Sequence, residues 1–316
     1  MSNLVRLGAS DLHIAPLVLG GNVFGWTAER DASFAVLDAF VAGGGTMIDT
    51  ADVYSAWAPG HQGGESETFL GEWLKRRGGS KGVMIATKVG MLPMGEPPRL
   101  EAARIAAAAE ASLRRLGVEA IDLYYAHQDD AATPLAETLA GFDRLVRDGK
   151  VRALGASNYK AERLAEALAV SEREGLARYE VLQPEYNLMA RDKYEGALQA
   201  LCVERNIGVL PYFGLASGFL TGKYRSEADF GKSVRGGRMD AYLNDRGRRV
   251  LAALDEVAAE TGATPAQIAL AWLAAQPGIA APIASATSVA QLEELLGVLT
   301  LDLNRDQLER LEAASA

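Results

Sequence analysis

The sequence predicts an α/β fold in which eight parallel strands close into a (β/α)8 TIM barrel, and three observations carry that prediction. Eight short runs rich in Val, Ile and Leu recur along the 316 residues, apolar on both faces as strands buried in a parallel sheet are. They alternate with Ala-, Leu-, Glu- and Arg-rich stretches whose apolar residues fall three and four apart, the spacing of one helix face. Eight such units in about 300 residues suit a closed barrel, whose usual size is about 250 residues with insertions. An open doubly wound sheet is the alternative. However, no early run is followed by the Gly-x-Gly-x-x-Gly pattern with which such a sheet holds a dinucleotide.

In chain order the strand candidates are "APLVLGG", "TMIDTA", "GVMIATKVG", "IDLYYAH", "VRALGASN", "YEVLQPEYN", "IGVLPYFGL" and "IAAPIASA". Helix candidates such as "DASFAVLDAFVAGG", "EAARIAAAAEASLRRLG" and "PLAETLAGFDRLVRDGK" lie between them, and several stop at Gly, as helices often do. Two segments stand outside the repeat. "LVRLGASDLHI" reads as a hairpin with its turn at Gly8 to Ser10, placed before the first strand where it can plug the bottom of the barrel. About thirty residues after the seventh strand, from "ASGFLTGKY" to "DAYLND", are too long for an ordinary connection and read as a functional lid or a disordered loop. With no low-complexity stretch and no linker, residues 1–316 read as a single domain.

Composition removes several classes of function. The 32 Lys and Arg against 41 Asp and Glu give a net charge of −9, and no basic run interleaves with aromatics, which argues against nucleic acid as a partner. No stretch approaches the 18 or so apolar residues of a membrane span, and the first residues lack a basic head followed by a long apolar core, so the expected location is cytoplasmic, with no membrane partner. Cys202 is the single cysteine; it can form neither an intrachain disulfide nor a thiolate metal cluster and reads as a small core residue. His13 and His61 have no partner at metal-ligand spacing and read as surface or turn residues, so no metal is expected.

Chemistry gathers at the strand ends. Barrel enzymes carry their active groups at the carboxyl ends of the strands, and Asp49 ends the second run, Lys88 the third and His127 the fourth, with Tyr54 just beyond Asp49. One charge at a strand end is commonly a solvated edge residue; three in consecutive strands point to a site. Asp49 and Lys88 are expected to form an ion pair, the usual way a Lys tolerates partial burial. A phenol titrates near 10, and an ammonium within about 4 to 6 Å lowers that value. Lys88 would thus activate Tyr54 as an acid while His127 holds a carbonyl oxygen towards it.

With these residues the sequence resembles the aldo-keto reductase family over almost its whole length. "MIDTADVY", "IATKVG" and "DLYYAHQ" match the family's Asp and Tyr, Lys and His motifs. The resemblance implies a catalytic tetrad of Asp49, Tyr54, Lys88 and His127. It further implies that Ser157, Asn158 and Gln183 hold a nicotinamide carboxamide and that Tyr212 stacks under the ring. Phe213, Gly214, Leu215, Ser217, Gly218 and Lys223 would line the pyrophosphate segment, and Ser285, Thr287, Ser288, Gln291 and Glu294 the adenosine segment. Gly21, Asn22 and Val23 join Asp49 in the implied cofactor set. The cofactor is then NAD(P)H bound without a Rossmann fold. Many members have Arg or Lys in the adenosine segment where this chain has Ser285 and Thr287, so a modest preference for NADPH is expected, with NADH also admitted.

The remaining candidates keep two readings each. Trp26 and Trp57 lie in the loops after the first two strands and suit either a substrate pocket or loop packing. Arg235 and Arg238 suit either closure over the cofactor phosphates or a mobile solvated loop. The expected activity is oxidoreduction between a small carbonyl substrate, aldehyde or ketone, and an alcohol. One alternative is a slow-turnover nicotinamide-binding regulatory subunit resembling potassium-channel β subunits. Another is a barrel aldolase with Lys88 as a Schiff base, which needs a neutral amine and is opposed by the adjacent Asp49. Outer barrel helices equally suit a monomer or an oligomer.

Overall fold

In the computed structural model, which describes residues 4–97 and 99–316, the chain begins with the hairpin. Strand β1 (Val5–Arg6) pairs antiparallel with β2 (His13–Ile14), Val5 opposite Ile14 and Arg6 opposite His13. Gly8 turns the chain at φ +57°, and a Cβ there would lie 2.3 Å from the Glu180 carbonyl oxygen, so only glycine lets the turn seat against the barrel. Leu7, Leu12 and Ile14 bury themselves among Met47, Ala86, Leu123 and Val181, the apolar residues that point into the lower half of the barrel. The hairpin is the plug that the sequence predicts.

Strands β3 (Val18–Gly20), β4 (Met47–Asp49), β5 (Met84–Val89), β6 (Ile121–Ala126), β7 (Val151–Ser157), β8 (Tyr179–Gln183), β9 (Gly208–Val209) and β10 (Ile283–Ala284) follow. They form one parallel sheet in the order β10-β3-β4-β5-β6-β7-β8-β9. Between β9 and the approach to β10 the ring is completed by Ala280 N–H to Val209 O at 2.9 Å and Ile283 N–H to Pro211 O at 2.9 Å. All eight predicted runs are barrel strands. Their period of two sorts the side chains: Ile48, Ile85, Tyr124, Leu154 and Leu182 pack outward under the helices, while Met47, Ala86, Leu123 and Val181 point inward. Two residues further along the same inward rows come Asp49, Lys88, Tyr125 and Gln183. Gly155 makes room among them, since a Cβ there would lie 2.4 Å from the Tyr125 ring.

Helices α1 (Arg30–Ala42), α2 (Glu65–Arg77), α3 (Ala102–Leu116), α4 (Leu135–Arg147), α5 (Ala161–Glu174) and α6 (Ala197–Glu204) follow strands β3 to β8. Gly43 and Gly117 end α1 and α3, as the sequence predicts. Two helices, α7 (Asp245–Thr261) and α8 (Pro265–Ala274), stand between β9 and β10, and α9 (Val289–Leu296) and α10 (Arg305–Ser315) come after β10. The plain repeat does not foresee α7 and α10; they pair with each other through Gln307 and Arg310 on Glu260, at 3.0 and 2.6 Å. The long segment after β9 is folded into three 3-10 turns, Ala216–Thr221, Glu227–Lys232 and Gly236–Ala241. Among the described residues no helix is long and apolar enough to cross a membrane.

Candidate active site

Strand alternation alone brings Asp49 and Lys88 to the mouth of the barrel, and the loop after β4 brings Tyr54 to them. The Lys88 ammonium donates to Asp49 Oδ2 at 2.6 Å, to the Thr50 carbonyl at 2.8 Å and to the Tyr54 hydroxyl at 3.1 Å. Its three protons are used, which is what a fully buried lysine requires. The other oxygen of Asp49 accepts from Gln183 Nε2 at 2.9 Å, so the buried ion pair is hydrogen-bonded on both sides. The His127 ring stands opposite, 6.0 Å from the Tyr54 ring centroid and inclined at 74°. The expected ion pair and the shared space of Tyr54 and His127 are both present.

The electrostatics differ in one respect from the expectation. Burial is the largest influence on Tyr54 and raises its pKa; the Lys88 charge pulls the other way, Asp49 adds to the rise, and the phenol stands above its ordinary value. The predicted lowering by Lys88 is real as a contribution but is outweighed by desolvation. Burial likewise opposes the Lys88 charge, yet Asp49 and then Tyr54 more than offset it and hold the ammonium above its ordinary value. His127 is driven well below the usual histidine range by burial and then by Lys88, so its imidazole is neutral at neutral pH.

The residues expected around a nicotinamide join four neighbouring strand ends, β6 to β9. Ser157 Oγ donates to the Gln183 carbonyl at 2.8 Å, the Asn158 amide donates to the His127 carbonyl at 3.0 Å, and the Tyr212 hydroxyl donates to Asn158 Oδ1 at 2.8 Å. Gly21 is bound to the Asp49 carbonyl through its N–H at 2.7 Å, and Asn22 Oδ1 accepts from Ser285 Oγ at 2.6 Å. Val23 is buried in the core. Phe213, Ser217 and Gly218 are left-handed at φ +56°, +58° and +98°. Asn187 braces that turn through the Phe213 carbonyl at 2.9 Å. Gly214 is buried against Leu270 and Leu273, Leu215 packs into the core, and Lys223 is exposed beside the Tyr224 ring.

Further round the rim, Ser288 caps α9 by accepting from Gln291 N–H at 3.3 Å, and Gln291 Oε1 accepts from Thr287 Oγ1 at 3.1 Å. Glu294 is exposed on the same helix. Left-handed turns and helix N-termini both present backbone N–H groups to anions. In the turn at 216–218, Ala216 and Gly218 spend their N–H groups on the Phe213 and Leu215 carbonyls, so Ser217 and the start of α9 suit the charged half of a dinucleotide, while the Ser157, Asn158 and Gln183 cluster suits its amide.

Trp57 meets the Tyr54 ring at 5.5 Å and Trp26 at 5.6 Å, edge to face in both cases, so the two tryptophans form one wall beside the phenol. Arg235, expected over phosphates or in a mobile loop, lies 5.6 Å from the Trp26 ring, while Arg238 is exposed. Sequence reasoning overlooked Glu65, whose carboxylate accepts backbone N–H groups from Ser55, Gln62 and Gly63 at 3.1, 2.8 and 3.0 Å and fixes the loop carrying Trp57. The signal was there: an acid directly after Gly63-Gly64 at a helix start. Cys202 is buried, its thiol pushed up to about 12 by burial, as a core residue would be.

Comparison with known proteins places this geometry in context. The sequence model of the Aldo/keto reductase family matches residues 16–316. The chain is 33% identical over 308 residues to aldo-keto reductase str7 of Strobilurus tenacellus, covering 96% of this chain and 86% of that protein. It is 31% identical over 297 residues to a probable voltage-gated potassium channel subunit beta of Arabidopsis thaliana, covering 92% and 88%. It is 30% identical over 294 residues to a Schizosaccharomyces pombe aldo-keto reductase whose name specifies NADP(+), covering 91% and 83%.

Proposed function

The chain belongs to the aldo/keto reductase family of oxidoreductases, and from that premise we propose that it interconverts an aldehyde or ketone and an alcohol, with Tyr54 as the general acid and base. The observation that carries this reading is the buried contact sequence from Asp49 through Lys88 to Tyr54, with neutral His127 across from the phenol. Ser157, Asn158 and Gln183 would hold the amide end of NADPH, Tyr212 would lie under its ring, and the turn at 216–218 with the start of α9 would take its phosphates. The reduced nicotinamide, when bound, supplies the hydride that the carbonyl carbon accepts.

The protein's part is position and protons. Tyr54, protonated across neutral pH, gives its proton to the carbonyl oxygen. The phenolate left behind lies 3.1 Å from the Lys88 ammonium, and Asp49 keeps that ammonium charged. Neutral His127 steadies the oxygen by a hydrogen bond without competing as an acid. In the oxidising direction the phenolate takes the proton back. A lysine nucleophile needs a neutral amine, and Lys88 is held charged, which counts against an aldolase.

Likeness to the Arabidopsis potassium channel subunit beta supports a second reading, a nicotinamide-binding regulatory subunit with slow turnover. A panel of carbonyls and alcohols followed by nicotinamide absorbance with both cofactors tests the two together. Turnover of at least one substrate at about 1 per second or faster, the lower end for ordinary enzymes, supports the reductase. Tight NADPH binding with turnover far below that rate supports the regulatory subunit.

A further inference from the structure

Among the described residues Arg235 forms no ion pair. It is partly buried at the start of the turn Gly236–Ala241, with its guanidinium carbon 5.6 Å from the Trp26 ring centroid. Burial and then the nearby Arg238 act against its charge, and the Tyr224 phenol supports it. Several other arginines are paired: Arg225, ten residues earlier in the same segment, holds both oxygens of Asp255 at 2.8 and 2.7 Å, and Arg163 and Arg191 grip Asp129 and Glu195. Taking a guanidinium partly out of water costs free energy unless an acceptor is supplied.

A second donor on the same wall also goes unused. The Trp57 indole Nε1 is buried and has no hydrogen-bond partner among the described residues, although buried indole N–H groups usually find one. Trp57 touches Trp26 on one side and Tyr54 on the other. Along a single run of ring contacts the wall therefore carries an unpaired guanidinium, an unpaired N–H and the proposed acid.

We propose that Arg235, helped by the Trp57 N–H, forms an anion subsite in the substrate pocket, so that the preferred carbonyl substrates carry a carboxylate. Arg235, Trp26, Trp57 and Tyr54 are linked by three successive contacts of 5.6, 5.6 and 5.5 Å, so the carboxylate and the reacting carbonyl belong at the two ends of a rigid aromatic spacer. This rests on the carbonyl-reductase reading. The cofactor's phosphates offer the same anionic oxygens, and the test separates the two sources.

The measurement compares para-carboxybenzaldehyde with its methyl ester, using NADPH and the full chain as wild type, Arg235→Leu and Arg235→Lys. In the wild type kcat/KM for the acid should exceed that for the ester by about ten- to a hundredfold, the worth of one charge-assisted hydrogen bond. In Arg235→Leu the ratio should fall to about one. Arg235→Lys should keep an intermediate ratio, because lysine retains the charge without the planar fork. Equal ratios in wild type and Arg235→Leu overturn the subsite. So does a loss of NADPH affinity of about tenfold or more in Arg235→Leu, measured by calorimetry without substrate, because the ligand is then the cofactor phosphate. If neither aldehyde is turned over, the carbonyl reading is left to the wider panel, and the subsite is judged by terephthalate alone. Saturable quenching of tryptophan emission that disappears in Arg235→Leu supports it, and absence of quenching in the wild type overturns it.

Discussion

The Lys88 ammonium stands 3.1 Å from the Tyr54 hydroxyl while its other two protons go to Asp49 and the Thr50 carbonyl. The lysine is thereby fixed rather than free to seek solvent, and its charge faces the one atom whose proton the proposed reaction needs. Burial raises the phenol's pKa and the ammonium restrains the rise.

Tyr54→Phe removes the proton donor and little else, since the ring contact with Trp57 is retained. General acid catalysis is worth about 10² to 10⁴ in rate, so kcat should fall by that factor while NADPH affinity changes by a few-fold at most. Steady-state kinetics beside a cofactor titration checks both; a variant keeping more than about a tenth of wild-type kcat would take Tyr54 out of the acid role.

Lys88→Met should disable the enzyme and also move its pH dependence. Reduction needs the protonated phenol and is lost as pH rises through the Tyr54 pKa; oxidation needs the phenolate and appears over the same interval. Removing the ammonium removes a lowering influence, so both limbs should shift to higher pH. Asp49 would also be left buried without its counter-ion, at a cost of about 3 to 5 kcal/mol. A residually active variant with an unshifted profile would break the proposed coupling between Lys88 and Tyr54.

Asp52 sets a pH dependence of stability apart from catalysis. Burial, then the Glu67 carboxylate, pushes its pKa up to about 7, and its Oδ1 has no hydrogen-bond partner among the described residues. An unfolded Asp titrates near 3.9. Between about pH 4 and 7 the folded chain keeps a proton that the unfolded chain releases, so stability falls as pH rises through that window. The contribution is complete below it and gone above it, at most on the order of 4 kcal/mol. In Asp52→Asn, denaturant unfolding across the window should show a flatter slope than wild type. Identical slopes would mean that Asp52 is ionised in the folded protein.

Cofactor choice should show a modest preference for NADPH. The rim beside α9 offers the hydroxyls of Ser285, Thr287 and Ser288; the first two donate to Asn22 and Gln291, and the third accepts from the Gln291 N–H. A charged partner for the 2′-phosphate would contribute about 1.5 to 3 kcal/mol, and hydroxyls give less. The kcat/KM ratio of NADPH to NADH should stay well below a thousandfold, roughly 4 kcal/mol, and change little with added salt. A larger, salt-sensitive ratio would reveal a cation acting on the phosphate, and a clear preference for NADH would assign these hydroxyls to a ribose.

Some of this was legible in the sequence because it depends only on backbone alternation. Eight apolar runs separated by helix-period stretches define barrel strands whatever the details of packing, and the residue two places after an inward Met47 or Ala86 must also point inward, which puts Asp49 and Lys88 in one mouth. Other features belong to closure of the barrel. Gln183 meets Asp49 across 134 residues and Ser285 meets Asn22 across 263, contacts that exist only once the ring is complete. Arg235 is carried to Trp26 by a segment with no regular period to extrapolate, and α7 and α10 define each other by packing. The direction of the Tyr54 shift was decided last. Charge spacing along the chain identifies the ammonium that lowers the phenol, but the larger opposing effect is the exclusion of water, set by every element that covers the site and written in no single stretch of the sequence.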